Sequence, residues 1–263
     1  GIDLYSKYHT MNVLSYDWEY TDLKFSFKFF LVEENSLACL VEVMNGDDRK
    51  RELLLYSVGR LFSPKPYVMR GTLTPTHLVL ISKALNLTLV LGSSEVSTAQ
   101  RLVYSEREIE KWIENNDFLP SYEGESLFMI HGVLSFKLKI PPGSKRKVLF
   151  VLSRGRTYDS ALKTMHHSLK KAEDILRKKL ESDERFWSKV PKLVGDWPRH
   201  WINGFIYDFE AVRMMVYPPV GVFKHQWDIM HVNWPRNVIA ETSIDMPVSY
   251  THLRAHETEA ELV

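Results

Sequence analysis

Phe25-Ser26-Phe27-Lys28-Phe29 alternates aromatic rings with polar side chains. A period of two turns one row of side chains inward and the other toward water, which is the signature of a half-buried β-strand. Working outward, Leu37 to Val43 is a short apolar run closed by the turn residues Asn45-Gly46-Asp47-Asp48. Arg51–Val58, His77–Ile81, Leu85–Leu91, Leu127–Ile140 and Lys147–Leu152 continue the strand pattern. Pro141-Pro142-Gly143 marks a turn between the last two. Ser105 to Asn115, with Glu108, Ile109, Trp112 and Ile113, reads as a short helix. Many short strands separated by turns, from Tyr5 to about Ser153, predict a β-sandwich.

The period changes near Asp159. Leu162, Met165, Leu169, Ala172, Leu176 and Leu180 recur every three or four residues, with Lys and Glu between them. That spacing predicts an amphipathic helix of about 20 residues. Asp159 or Ser160 is expected to cap its start. A second helix is expected from Asp196-Trp197-Pro198, with Asp196 as the cap, Pro198 in the first turn, and Trp201, Phe205, Val212 and Val216 as its apolar stripe. Tyr217-Pro218-Pro219-Val220-Gly221 ends that helix. A further helix is expected after Gln226-Trp227-Asp228, kinked or restarted at Pro235 and buried through Val238, Ile239 and Ile244.

Composition narrows the function. The 263 residues carry 34 Lys plus Arg against 33 Asp plus Glu, a net charge of +1, so no general field draws the chain to nucleic acid or an anionic membrane. With 44% hydrophobic and 25% charged residues the chain is an ordinary globular one, which excludes disorder and collagen-like repeats. Cys39 is the single cysteine, so no disulfide framework exists. No apolar run approaches the ~18 residues of a membrane span.

Motifs for phosphate-cradling loops, the Gly-x-Ser-x-Gly elbow and His-Glu-x-x-His are absent. His166 and His167 are adjacent on a helix, point about 100° apart and cannot share a metal, so a surface pair is expected. Cys39 sits in an apolar run and reads as a buried inert thiol. Asn86-Leu87-Thr88 fits a glycosylation acceptor, a triplet common by chance. Neither a cofactor nor a metal is expected.

What stands apart is aromatic crowding. Five of the seven Trp fall between Trp187 and Trp234, and from Asp196 to Glu241 the aromatics are interleaved with Asp208, Glu210, Arg213, Lys224, His225, Asp228, His231, Arg236 and Glu241. Sugars present apolar C–H faces and rings of hydroxyls. A pocket for them needs aromatic platforms beside carboxylate, amide and guanidinium groups. For any single Trp, packing of a helical core is the favoured reading. The unit Phe223-Lys224-His225-Gln226-Trp227-Asp228 is different, because a polar aromatic loop entering a helix serves packing poorly.

Gly221-Val-Phe-Lys-His-Gln-Trp-Asp-Ile-Met230 resembles the Trp-Asp motif of glycosidases built on an (α/α)6 barrel, the six-hairpin clan of trehalase and glycoside hydrolase family 63. A β-sandwich followed by a linker helix is similar to the amino-terminal layout of that clan and of related glucoamylases and disaccharide phosphorylases. The Pro-Gly-Gly-Arg-Phe lead-in of trehalases is missing. The resemblance implies a sandwich over 1–155, a linker helix region over 156–195 and the opening helices of an all-α catalytic toroid over 196–247. It implies an inverting glycoside hydrolase acting on a glucoside-type oligosaccharide or small glycoside. Asp228 would bind sugar hydroxyls and Trp227 would wall the pocket. Phe223, Lys224 and His225 would share that loop, and Arg213 and Trp234 complete the candidate set. In the family both catalytic carboxylates lie beyond this motif, so none is assigned here. The alternatives are a disaccharide phosphorylase of similar layout, or a non-catalytic carbohydrate-binding or scaffold protein in which the sandwich does the work. The expected partner is a carbohydrate, with no nucleic acid and no membrane.

The two ends read differently. Gly1-Ile2-Asp3 shows no signal pattern. Val248-Ser-Tyr-Thr-His-Leu-Arg-Ala-His-Glu-Thr258 resembles the translation of a transposase-type sequencing adapter, so 248–263 is expected to be foreign and the natural chain to continue past Met246. That tail holds one Arg and three Glu, and without it the net charge would be +3.

Overall fold

The computed structural model describes residues 3–115, 121–217 and 227–228. In chain order the elements are β1 (Asp3–His9), β2 (Leu14–Tyr20), β3 (Leu23–Glu33), β4 (Ser36–Asn45), β5 (Arg51–Phe62), β6 (Met69–Leu73), β7 (His77–Ser82), β8 (Leu87–Ser93), β9 (Ala99–Val103), α1 (Glu106–Asn115), β10 (Glu123–Ser126), β11 (Met129–Ile140), β12 (Lys145–Gly155), α2 (Tyr158–Trp187), α3 (Arg199–Met215), β13 (Val216–Tyr217) and β14 (Trp227–Asp228). The chain divides into two compact units, Gly1–Lys189 and Val190–Val263.

The first unit holds a nine-stranded sheet, ordered β1-β2-β3-β4-β12-β8-β7-β6-β10, and a three-stranded sheet, β5-β11-β9, with antiparallel pairing within both. The Phe25/Phe27/Phe29 row reads as expected: Phe25 is buried in the interior between the sheets, and Phe27 packs against that interior. Val41, Val43, Leu78, Leu80 and Phe150 join it from the large sheet. Leu61, Leu134, Phe136 and Ile140 meet them from the small one. Phe136 and Phe150 touch edge to face at 5.3 Å between ring centres.

The other face of the large sheet is equally buried. Phe30, Ala38, Leu40, Leu149 and Val151 pack under Ala161, Met165, Ala172 and Leu176 of α2. This is why β4 reads as an unbroken apolar run: its odd positions face the sandwich and its even positions face the helix. The segment expected as a linker helix therefore carries an outer layer of the first unit. α2 runs for 30 residues rather than about 20, and its cap is Thr157, whose side chain accepts from the Ser160 amide at 3.3 Å, not Asp159 or Ser160. On the opposite side, α1 covers the three-stranded sheet through Trp112 and Ile109.

Turns set the register. Gly143 adopts φ +61° in the expected Pro-Pro-Gly turn, where the Ser144 amide donates to the Pro141 carbonyl at 3.2 Å. Asn45 is fully buried, and its side-chain amide donates to the carbonyls of Arg49 (2.7 Å), Ile140 (3.0 Å) and Pro141 (3.2 Å). The next amide, of Gly46, donates to the Asp22 carbonyl at 2.7 Å. Asn45 and Gly46 together thus tie the loops that follow β2, β4 and β11.

In the second unit α3 begins after Pro198, which occupies the cap position at φ −53° and ψ 137° with no side-chain cap bond. Asp196 lies two residues further upstream and does not cap the helix, correcting the expected start. Trp201 and Val212 of the expected stripe are 58% and 60% exposed, and Phe205 stacks edge to face with Phe209 at 4.9 Å. Val216 lies past the helix, as its C-cap and the first residue of β13. The C-terminal part is thus not purely helical, because β13 pairs with β14. The helix expected around Pro235, with Val238, Ile239 and Ile244, and the 248–263 tail lie outside the described residues.

Candidate functional site

α3 delivers its last turn, Glu210 to Met215, to the point where the chain straightens into β13. The Val216 amide still donates to the Arg213 carbonyl, closing the helix. Pro218 and Pro219 follow at once, and proline supplies no amide to continue a helix. The chain then returns after 218–226, so that Trp227 pairs with Tyr217 and Asp228 with Val216. The two residues singled out from sequence are therefore anchored by main-chain pairing to the end of α3. Val216, the partner of Asp228, stands three residues past Arg213.

That helix end carries a buried ion pair. The Arg213 guanidinium lies 3.1 Å from the Glu210 carboxylate, one helical turn apart, with side chains 12% and 1% exposed. Removing either partner would leave a buried polar group without the contact that offsets its burial. Glu210 belongs to the polar cluster read from sequence but was not among the candidate residues. The detectable signal was its i,i+3 spacing from Arg213. Of the candidates, the structure describes Arg213 in full and Trp227 and Asp228 by their backbone, and brings these three to one place in the chain path. Phe223, Lys224, His225 and Trp234 lie outside the described residues.

Two hollows in the first unit have other chemistry. One, of about 300 Å³, opens beside β5 and is walled by Phe27, Phe29, Leu55, Leu89, Phe150 and Leu152, which offer a sugar few polar groups. Cys39 also faces it, and burial pushes its thiol up to about 12, so it is protonated and inert. The other, of about 660 Å³, lies at the start of α2 among Asn35, Asn86, Arg154, Arg156 and Thr157. It is polar but has neither an aromatic platform nor a carboxylate in its lining. His166 and His167 are exposed on α2, with His167 3.2 Å from Glu33. Among the described residues no group of three or more His, Cys, Asp or Glu could hold a metal, and no helix is long and apolar enough to cross a membrane.

No known family profile and no curated protein matches the chain. Solved structures match the chain at low identity. A bacterial glucoamylase complexed with acarbose gives a TM-score of 0.48 at 17% identity, over 68% of this chain and 27% of that one. A protein assigned as a kojibiose phosphorylase, from the human microbiome, gives 0.46 at 11% identity over 78% and 27%. A protein assigned as an aldose 1-epimerase, from Escherichia coli K12, gives 0.45 at 8% identity over 58% and 68%. The chain thus spans 27% of the length of the glucoamylase and of the phosphorylase.

Proposed function

We propose that the chain is part of a carbohydrate-active enzyme, a glycoside hydrolase acting on a glucoside-type oligosaccharide or small glycoside with inversion. One observation carries the reading: Trp227-Asp228 is held against the end of α3, next in the chain path to a buried Glu210–Arg213 pair. An indole wall, a carboxylate that accepts sugar hydroxyls and a fixed guanidinium are the groups that orient a pyranose. In this reading Phe223, Lys224, His225, Trp234 and Arg213 are the further side chains that contact the sugar.

Asp228 holds the sugar in this reading and is not the proton donor. Inversion requires a carboxylic acid on the leaving oxygen and a carboxylate activating water from the other face, and neither role falls to the candidate residues. The 263-residue chain is therefore expected to bind without turning over.

Titration with maltose followed by tryptophan fluorescence tests this. Saturable quenching is expected, abolished by Asp228→Ala with no change in thermal unfolding. Quenching that survives Asp228→Ala removes that residue from the site. Robust hydrolysis of a disaccharide by the same chain would show that a catalytic pair lies within it.

A further inference from the structure

Among the described residues, Nδ1 of His131 is buried without a hydrogen-bond partner, on a side chain only 2% exposed. A buried polar atom left unserved is uncommon and calls for an explanation. His131 lies on the outer face of β11. Its cross-strand neighbours are Arg60 of β5 and Val103 of β9. α1 lies over this face, Trp112 packing with Val103 and Val133 and flanked by Tyr56 and Ile109. From β5, Arg60 reaches the Glu106 carboxylate in the first turn of α1 at 2.7 Å.

The charged and titratable groups that face the ring come from every element around it. They are Arg60 from β5, Glu106 and Glu108 from α1, and the Val103 main chain from β9. Tyr56 is in the same apolar patch, and burial raises its phenol above the usual tyrosine range. Burial first, and the Arg60 charge second, hold His131 below the usual histidine range. Glu106, the Val103 backbone and Glu108 oppose that shift without cancelling it. A neutral ring fits this site. A protonated one would be a second cation near Arg60 on a ring that keeps almost none of its own surface in water.

We propose that His131 is a pH-sensitive latch, whose protonation releases α1 from the outer face of the three-stranded sheet. Because the folded ring prefers to be neutral, its contribution is complete above the unfolded histidine value. That contribution is lost as pH falls below that value toward the lower folded one. The attachment it controls is small, since the buried apolar cluster there is Val103, Trp112 and Val133. Opening α1 therefore costs less than unfolding the sandwich, and the strain of a buried charge is relieved locally.

Amide hydrogen exchange read by mass spectrometry, at about pH 7.5 and about pH 5.5 and corrected for intrinsic rates, tests the latch. Glu106–Asn115 is expected to lose protection at the lower pH while β5 and β11 keep theirs, and His131→Gln is expected to make α1 protection independent of pH. Equal protection of α1 at both pH values, or the same loss in His131→Gln, overturns the proposal. If that variant fails to fold, the ring of the unaltered protein is titrated by NMR. A midpoint coincident with α1 opening supports the latch, and a midpoint well separated from it overturns it.

Discussion

Asp183 sits fully buried on the face of α2 that packs against the sheet. It accepts from the Thr10 hydroxyl at 2.6 Å and from the Asn12 side-chain amide at 2.5 Å, which staples the β1–β2 turn to the far end of the helix. Replacing it by Ala leaves two donors without their acceptor. Asp183→Ala is expected to lower stability by about 2–4 kcal/mol, read as a lower urea midpoint with an unchanged slope. An unmoved midpoint would show that water serves both donors. Glu42 makes the contrast, ringed by Lys28, Lys145 and Lys147 at 2.8, 3.2 and 3.6 Å. Burial works to raise its pKa, and the bonds and charges of Lys28 and Lys145 outweigh that and bring it below the usual range. The same residues explain a limit of sequence reading. Ala161, Met165, Ser168, Ala172 and Leu176 form the buried face of α2, and Asp183 continues their spacing. An aspartate there looks like the end of an apolar stripe, and its partners lie more than 170 residues away in sequence, so the helix reads too short. Glu210 was read only as one of a polar cluster, since its burial is a property of the fold and not of its neighbours in sequence.

Elements meet closely where side chains are missing. Gly59 and Gly132 face each other across β5 and β11, and a Cβ at either would overlap the Leu78 side chain of β7. This absence lets the small sheet lie close on the large one. Gly132→Ala is expected to cost about 1–3 kcal/mol by overpacking. The cost should shrink in a Leu78→Ala background, a non-additivity that a double-mutant cycle on chemical unfolding measures. Additive costs would place the strain elsewhere. Alternation in β3 and the turn residues at Asn45-Gly46 and Pro141-Pro142-Gly143 made the strands legible, because both are local. Sheet order was not legible, since β12 lies between β4 and β8 and nothing local in their sequences records it. The Thr157 cap was missed because Thr157, Asp159 and Ser160 all have capping chemistry, and only backbone geometry selects among them. The Trp227-Asp228 segment stood out in sequence by its aromatic and polar side chains, whereas nothing local records its pairing with Val216 and Tyr217.

The chain as a whole divides between Lys189 and Val190. Lys189 and Lys192 are exposed between α2 and α3. Brief trypsin treatment is expected to leave a resistant fragment ending at one of them, β-rich by circular dichroism and melting cooperatively. A resistant fragment that ends within α2 would place the boundary earlier, because α2 covers the large sheet. Within the first unit, one tie has a bearing on chemical ageing. An asparagine followed by glycine is the pair most open to deamidation, in which the glycine nitrogen attacks the side-chain carbonyl and closes a succinimide ring. Asn45-Gly46 is such a pair, yet the Gly46 amide is committed to the Asp22 carbonyl and the Asn45 amide to three others. Neither reactant is free to turn toward the other. The bonds that align three loops also act as a preservative, and the pair begins to age only when the sandwich opens.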